Sequence, residues 1–93
     1  MHQGNIKLYT IMKLYIVTET NKETNLLLRS WVCFTEEQAK ECLKRHYEIA
    51  CTYNAIGGVE DPTDCTDNGF FFWNLQNGME LKYSIQETQT FAE

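Results

Sequence analysis

The chain has 93 residues, 43% hydrophobic and 13% aromatic, with 13 acidic against 8 basic side chains and a formal net charge of −5. That length holds one domain with one modest core, and the apolar content argues against global disorder. The negative charge, with no run of Lys or Arg, argues against binding nucleic acid directly by phosphate neutralisation; it suits solubility or a protein partner with a basic patch.

At the N-terminus, Ile6-Lys7-Leu8-Tyr9-Thr10-Ile11 is echoed by Met12-Lys13-Leu14-Tyr15-Ile16-Val17. Residues 1–11 read either as a lengthened first strand or as a loosely ordered extension ahead of Met12, with residues 1–4 expected to be loose. The apolar residues here are interrupted by Lys7, Thr10 and Lys13, without a compact apolar core or a small-residue cleavage site. Residues 12–19 are rich in β-branched and aromatic types and predict a strand. Asn21–Asn25 is a polar turn. Residues 26–34, LLLRSWVCF, predict a second strand whose facing stays open. Leu26, Leu28, Val32 and Phe34 make one face, and Leu27, Trp31 and Cys33 the other.

A helix is expected next. Thr35 is placed to cap it, and Gln38 follows at capping-box spacing. Glu36 and Glu37 suit the positive end of the helix dipole. Ala39, Cys42, Leu43, Tyr47, Ala50 and Tyr53 recur at helical spacing, with His46 and Ile49 on the flank. Asn54 and Gly57-Gly58 end the run. Residues 54–69 form a long acidic loop containing Pro62, the single proline.

The clearest periodic signal lies in Phe70–Ile85. Met79, Leu81, Tyr83 and Ile85 alternate with Glu80, Lys82, Ser84 and Gln86, which predicts a half-buried strand. Asn77-Gly78 marks a hairpin turn. A two-residue loop would pair Asn74 with Leu81. A three-residue loop, Gln76–Gly78, pairs Leu75 with Met79, Trp73 with Leu81 and Phe71 with Tyr83, and puts Gly78 at a left-handed position. Matching apolar partners favours the second. It assigns Phe71, Trp73, Leu75, Met79, Leu81, Tyr83 and Ile85 to the core and turns Phe70 and Phe72 away from it. Glu87–Glu93 reads as a polar tail.

The order ββαββ predicts an α+β domain: a four-stranded, mainly antiparallel sheet with one amphipathic helix packed on one face. The other face is then expected to carry Phe70, Phe72, Tyr15 and Trp31, and exposed aromatics of this kind mark interaction sites. Glu60, Asp61, Asp64 and Asp67 give the long loop an acidic surface. These eight residues are the candidate protein-binding set.

Catalytic and metal motifs are weak. Asp64–Gly69 starts like a calcium loop, but its twelfth position is Leu75 rather than a bidentate Glu. Cys42 and His46 stand one helical turn apart without the Cys-x-x-Cys knuckle usual in structural zinc sites. They also lack a third residue to orient them as nucleophile and base. Cys33, Cys42, Cys51 and Cys65 read as free thiols of a reducing cytosol. No cofactor, metal or membrane association is expected.

Lys13-Leu14-Tyr15-Ile16-Val17-Thr18-Glu19, Val32-Cys33-Phe34-Thr35-Glu36-Glu37-Gln38-Ala39 and the closing Ser84-Ile85-Gln86-Glu87 resemble small β-β-α-β proteins of phages and mobile elements. The resemblance covers residues 12–50 and the last strand. It implies a small accessory protein of a virus or mobile element, with no site residues to carry over. The functional expectation is a non-enzymatic modulator that binds a nucleic-acid-handling host protein. The alternatives are a homodimeric domain in which Phe70, Phe72 and the second strand close the interface, and a small metal-binding or thiol protein.

Overall fold

The computed structural model describes residues 10–92, with side chains over residues 12–90. Its elements run β1 (Thr10–Asn21), β2 (Leu27–Cys33), α1 (Glu36–Ile56), a short 3-10 turn (Thr66–Asn68), β3 (Phe70–Asn74) and β4 (Glu80–Ala92). The strands form one antiparallel sheet in the order β2-β1-β4-β3. This is the α+β fold expected from the ββαββ order. The reading of residues 1–9 lies outside the described residues, but Thr10 and Ile11 already belong to β1.

The three-residue hairpin loop is the one that forms. Phe71 pairs with Tyr83 and Trp73 with Leu81. Leu75 N donates to Met79 O at 2.8 Å, and Gly78 takes φ 88°. Met79 nevertheless stays outside the core, 38% exposed. It closes the turn, its N–H held by Asn77 Oδ1 at 2.9 Å, and β4 begins only at the next residue.

The helix buries a single stripe, Ala39, Leu43, Ala50 and Asn54, against the sheet. Thr35 Oγ1 accepts from Gln38 N at 3.1 Å, and Gln38 Oε1 accepts in return from Phe34 N at 3.0 Å. The first bond satisfies an amide that the first turn leaves without a carbonyl partner, and the second holds the amide just ahead of the cap. At the other end Gly58 is left-handed, φ 71°, and Val59 N reaches back to Asn54 O at 2.7 Å. This Schellman closure ends the helix at Ile56, at the expected Gly57-Gly58 stop, with Asn54 inside the last turn.

Under the helix lie Val17, Cys33, Phe71, Leu81 and Tyr83, all buried. Phe71 stacks on Tyr83 with centroids 4.7 Å apart, and Tyr47 meets Phe71 edge-on at 5.5 Å. One helix covers this face and leaves the other open. β4 continues to Ala92, so the expected polar tail is instead a strand. Pairing supplies the reason: Thr88–Ala92 lie opposite Leu14–Thr10, and that ribbon extends beyond the reach of β2 and β3.

Candidate functional site

The ladder register decides which candidate residues share a face. Val17 pairs with Trp31 on one side and Ile85 on the other, and Tyr15 pairs with Cys33. Tyr15 and Trp31 therefore lie on the helix-covered face, not on the open one. The physical reason is the period of two: both have the parity of buried Val17. Trp31 packs against His46, ring centroids 4.1 Å apart, beneath the Arg29 guanidinium.

Phe70 and Phe72 do point to the open face, opposite Ser84 and Lys82. They are half-buried rather than bare. Their rings meet edge to face at 5.6 Å. Lys22 Nζ sits 4.8 Å above the Phe72 ring, and Lys82 Nζ 5.7 Å from that of Phe70. The lysine stems cover the rings, while the ammonium groups meet the π faces. Lys22 is also paired with Glu80 at 3.2 Å. Across the middle of this face runs a hydroxyl row of Ser30, Thr18 and Ser84, with Thr18 Oγ1 and Ser84 Oγ 3.2 Å apart. At the β2 end of that row the apolar side chains of Leu27 and Leu28 on one side and Val32 on the other are exposed.

The acidic loop is pinned to the helix. Tyr47 donates to Pro62 O at 3.0 Å, and Asn54 Nδ2 donates to Glu60 O at 2.8 Å. The hydroxyl of Tyr47 is pushed up to about 12 by its hydrogen bond with Cys51, by burial and by the nearby carboxylates. Asp64 is fully engaged. Its Oδ1 accepts from Thr66 N at 3.0 Å and Thr66 Oγ1 at 2.6 Å, and its Oδ2 pairs with Lys44. The Lys44 ammonium, helped by Thr66, holds this carboxyl at about 2.

The loop divides the remaining carboxylates between two grooves. Asp67 lies beside Tyr15 in a groove of about 300 Å³ that also takes Glu36, Lys40 and Glu87. There Glu36 is paired with Lys40 and Glu87 with Lys13. Glu60 and Asp61 lie with Val59, Pro62 and Thr63 along β3, where Phe72 and Asn74 complete a groove of about 340 Å³. This second groove joins three of the candidate residues, Phe72, Glu60 and Asp61. A larger cleft, about 650 Å³, opens between Tyr53, Ile56, Trp73 and Gln76. Two of its polar groups are used internally, Trp73 Nε1 donating to Asn54 Oδ1 at 2.9 Å.

The charged group that the sequence reading missed is Glu19. It is 5% exposed on the helix side of β1. Arg29 clamps it with Nε to Oε1 at 3.0 Å and Nη2 to Oε2 at 2.9 Å, and the Tyr83 hydroxyl donates to Oε2. Burial pushes the carboxyl up, but the hydrogen bonds from Arg29 and Tyr83 and the guanidinium charge overcome it and hold it below the ordinary range. The Tyr83 hydroxyl is driven up by burial and by the Glu19 carboxylate. The available signal was the cross-strand pairing of opposite charges, Glu19 opposite Arg29.

His46 Nδ1 lies 2.9 Å from Cys42 O and 3.8 Å from Cys42 Sγ. Burial and neighbouring Cys33 push the Cys42 thiol up, away from the reactive thiolate. Among the described residues no group of three or more His, Cys, Asp or Glu side chains is placed to hold a metal ion. Nor, among those residues, is any helix long and apolar enough to cross a membrane. No protein-family model, curated protein or solved structure matches the chain.

Proposed function

We propose that this chain is a small non-enzymatic module that binds a basic protein at the β3 edge. The observation that carries this reading is the groove in which Phe72 meets the exposed carboxylates of Glu60 and Asp61. An apolar ring beside two exposed acids that have no ion pair among the described residues suits an Arg or Lys flanked by an apolar side chain. Asp64, by contrast, already has its cation. The overall charge of −5 adds long-range attraction toward such a partner.

Surfaces of that kind are common on proteins that handle nucleic acid. Together with the resemblance to phage and mobile-element proteins, this makes a modulator of a cytoplasmic host factor the preferred role. The test is affinity capture at low salt from a candidate host lysate, with the natural chain and a Glu60→Gln/Asp61→Asn variant as parallel baits. The natural chain is expected to retain basic proteins that the variant and a Phe72→Ala bait lose. Identical retention by all three baits would remove the reading.

A further inference from the structure

We propose that a second copy of this chain adds to the outer edge of β2, extending the sheet across a two-fold axis at Trp31. The two outer edges of the sheet differ. At β3 the edge is attended by the acidic loop: Phe70 N lies 3.4 Å from Cys65 O, and Val59–Thr63 run beside Phe72 and Asn74. β2 is the terminal strand on the other side, and no described segment lies along it.

The hydrogen-bond alternation of the ladder shows which groups face outward. Lys22 N bonds Glu80 O at 2.9 Å, so even-numbered β1 residues exchange their bonds with β4 and odd-numbered ones with β2. Thr18 and Ile16 oppose Ser30 and Val32. The backbone N–H and C=O of Ser30 and Val32 therefore point away from the sheet. Sheets normally blunt such an edge with Lys, Pro, a bulge or a covering loop. From Ser30 to Cys33 the register with β1 is unbroken, and the irregularity falls only beyond Arg29. The one charge on the strand, Arg29, is tied inward to Glu19.

Several features favour a second copy as the occupant. In an antiparallel pair centred on Trp31, Ser30 faces Val32 of the other chain and Val32 faces its Ser30, so all the outward backbone groups find partners. Leu28 and Phe34, 42% and 65% exposed, approach one another at both ends. Arg29 falls opposite Cys33, so no like charges meet. Electrostatics agrees: each copy carries −5, yet residues 24–35 contain no carboxylate, so this edge brings two acidic chains together without apposing acids. Both helices then lie on the same side of the extended sheet, clear of the β3 groove.

Sedimentation equilibrium tests this, at loading concentrations of roughly 10–300 µM, suited to an interface below standard size. The weight-average mass of the natural chain is expected to rise from 10.9 kDa toward twice that value. Val32→Pro removes an outward N–H that the monomer does not use, a position where edge strands tolerate proline. It is expected to keep the natural circular dichroism and to stay monomeric. If Val32→Pro does not fold, Val32→Lys, which keeps every backbone donor, decides in its place by setting like charges beside the dyad. Phe72→Ala is expected to associate like the natural chain, which separates this outcome from that of the β3 groove. A natural chain that stays monomeric throughout would overturn the proposal. So would a folded Val32→Pro, or failing that Val32→Lys, that associates as strongly as the natural chain.

Discussion

The indole Nε1–H of Trp73 donates to Asn54 Oδ1 at 2.9 Å, and the same amide donates through Nδ2 to Glu60 O at 2.8 Å. One buried side chain thus ties the helix end to the hairpin and to the acidic loop. Among the described residues every buried side-chain N and O has a hydrogen-bond partner, and Asn54 is one reason. Asn54→Ala would leave the Trp73 donor and the Glu60 carbonyl without partners. The expected cost is about 2 kcal/mol in urea denaturation. Trp73→Phe should make the loss of Asn54 less damaging, because one orphaned donor disappears with it. A double-mutant cycle measures that coupling, and simple additivity would show that the bond carries no weight.

Glu19 and Arg29 should respond unequally to substitution. The Arg29 side chain is 62% exposed and that of Glu19 only 7%. Glu19→Gln frees a guanidinium that can return to water, so a loss of about 1 kcal/mol is expected. Arg29→Ala strands a buried carboxylate with the Tyr83 hydroxyl as its one remaining donor, and about 3 kcal/mol is expected. The pH dependence follows from the signs. The Glu19 carboxyl is depressed on folding, so its contribution is present above the ordinary value of 4.5 and fades as pH falls through the depressed one. In Arg29→Ala the guanidinium no longer offsets burial, and the carboxyl rises. That variant therefore regains stability relative to the natural chain on acidification. Denaturation midpoints of both proteins between pH 3 and pH 7 should converge at the acid end; a constant gap would contradict this account.

Local pattern made much of the fold legible. The Thr35–Gln38 cap, the helix stripe through Leu43 and Ala50, and the alternation from Leu81 to Ile85 are each encoded within a few neighbouring residues. The placement of Tyr15 and Trp31 was not legible in this way. It depends on which residues of β1 and β2 share a face with Val17, and a run such as LLLRSWVCF satisfies either parity. The irregularity beyond Arg29 blurs the alternation further. Asn54 looked like a helix terminator because Asn commonly is one, but its amide is instead held by two partners distant in sequence. Glu87–Thr90 looked like a tail because all four residues are polar and exposed, so no alternation marks a buried face. Within the candidate site, the pairing of Phe72 with Glu60 and Asp61 depends on a loop position fixed by Tyr47 and Asn54, which no spacing reveals.

Asp64 and Lys44 test which of two contacts holds the acidic loop. Their ion pair is exposed, and exposed pairs contribute little. Asp64 also accepts two hydrogen bonds from buried Thr66, which opens the 3-10 turn. Lys44→Ala should leave the thermal midpoint within error of the natural chain, while Asp64→Ala should lower it measurably. The Asp64 carboxyl should also titrate near 2 in the natural protein and move toward its ordinary value in Lys44→Ala, read by carboxyl-carbon NMR. An equal loss of stability in both variants would instead assign the loop's position to the ion pair.

The hairpin register rests on Gly78. Its φ is 88°, and a Cβ built there would meet no heavy atom within 4 Å. Any cost of a side chain is therefore backbone strain rather than a clash. Gly78→Ala is expected to destabilise by about 1 kcal/mol. Gly78→Asn should cost less, because Asn tolerates the left-handed region. Gly78→Val should cost most, because β-branching disfavours that region. If Ala and Asn proved equal to glycine in urea denaturation, the loop would not need a left-handed residue. The alternative turn, with Asn74 opposite Leu81, also needs a left-handed residue at 78, so it would gain nothing from that result. The contact of Phe71 with Tyr83 offers an independent check. An amide-exchange pattern that protects Phe71 and Trp73, whose N–H groups point toward β4, while leaving Phe72 fast is expected only for the three-residue loop.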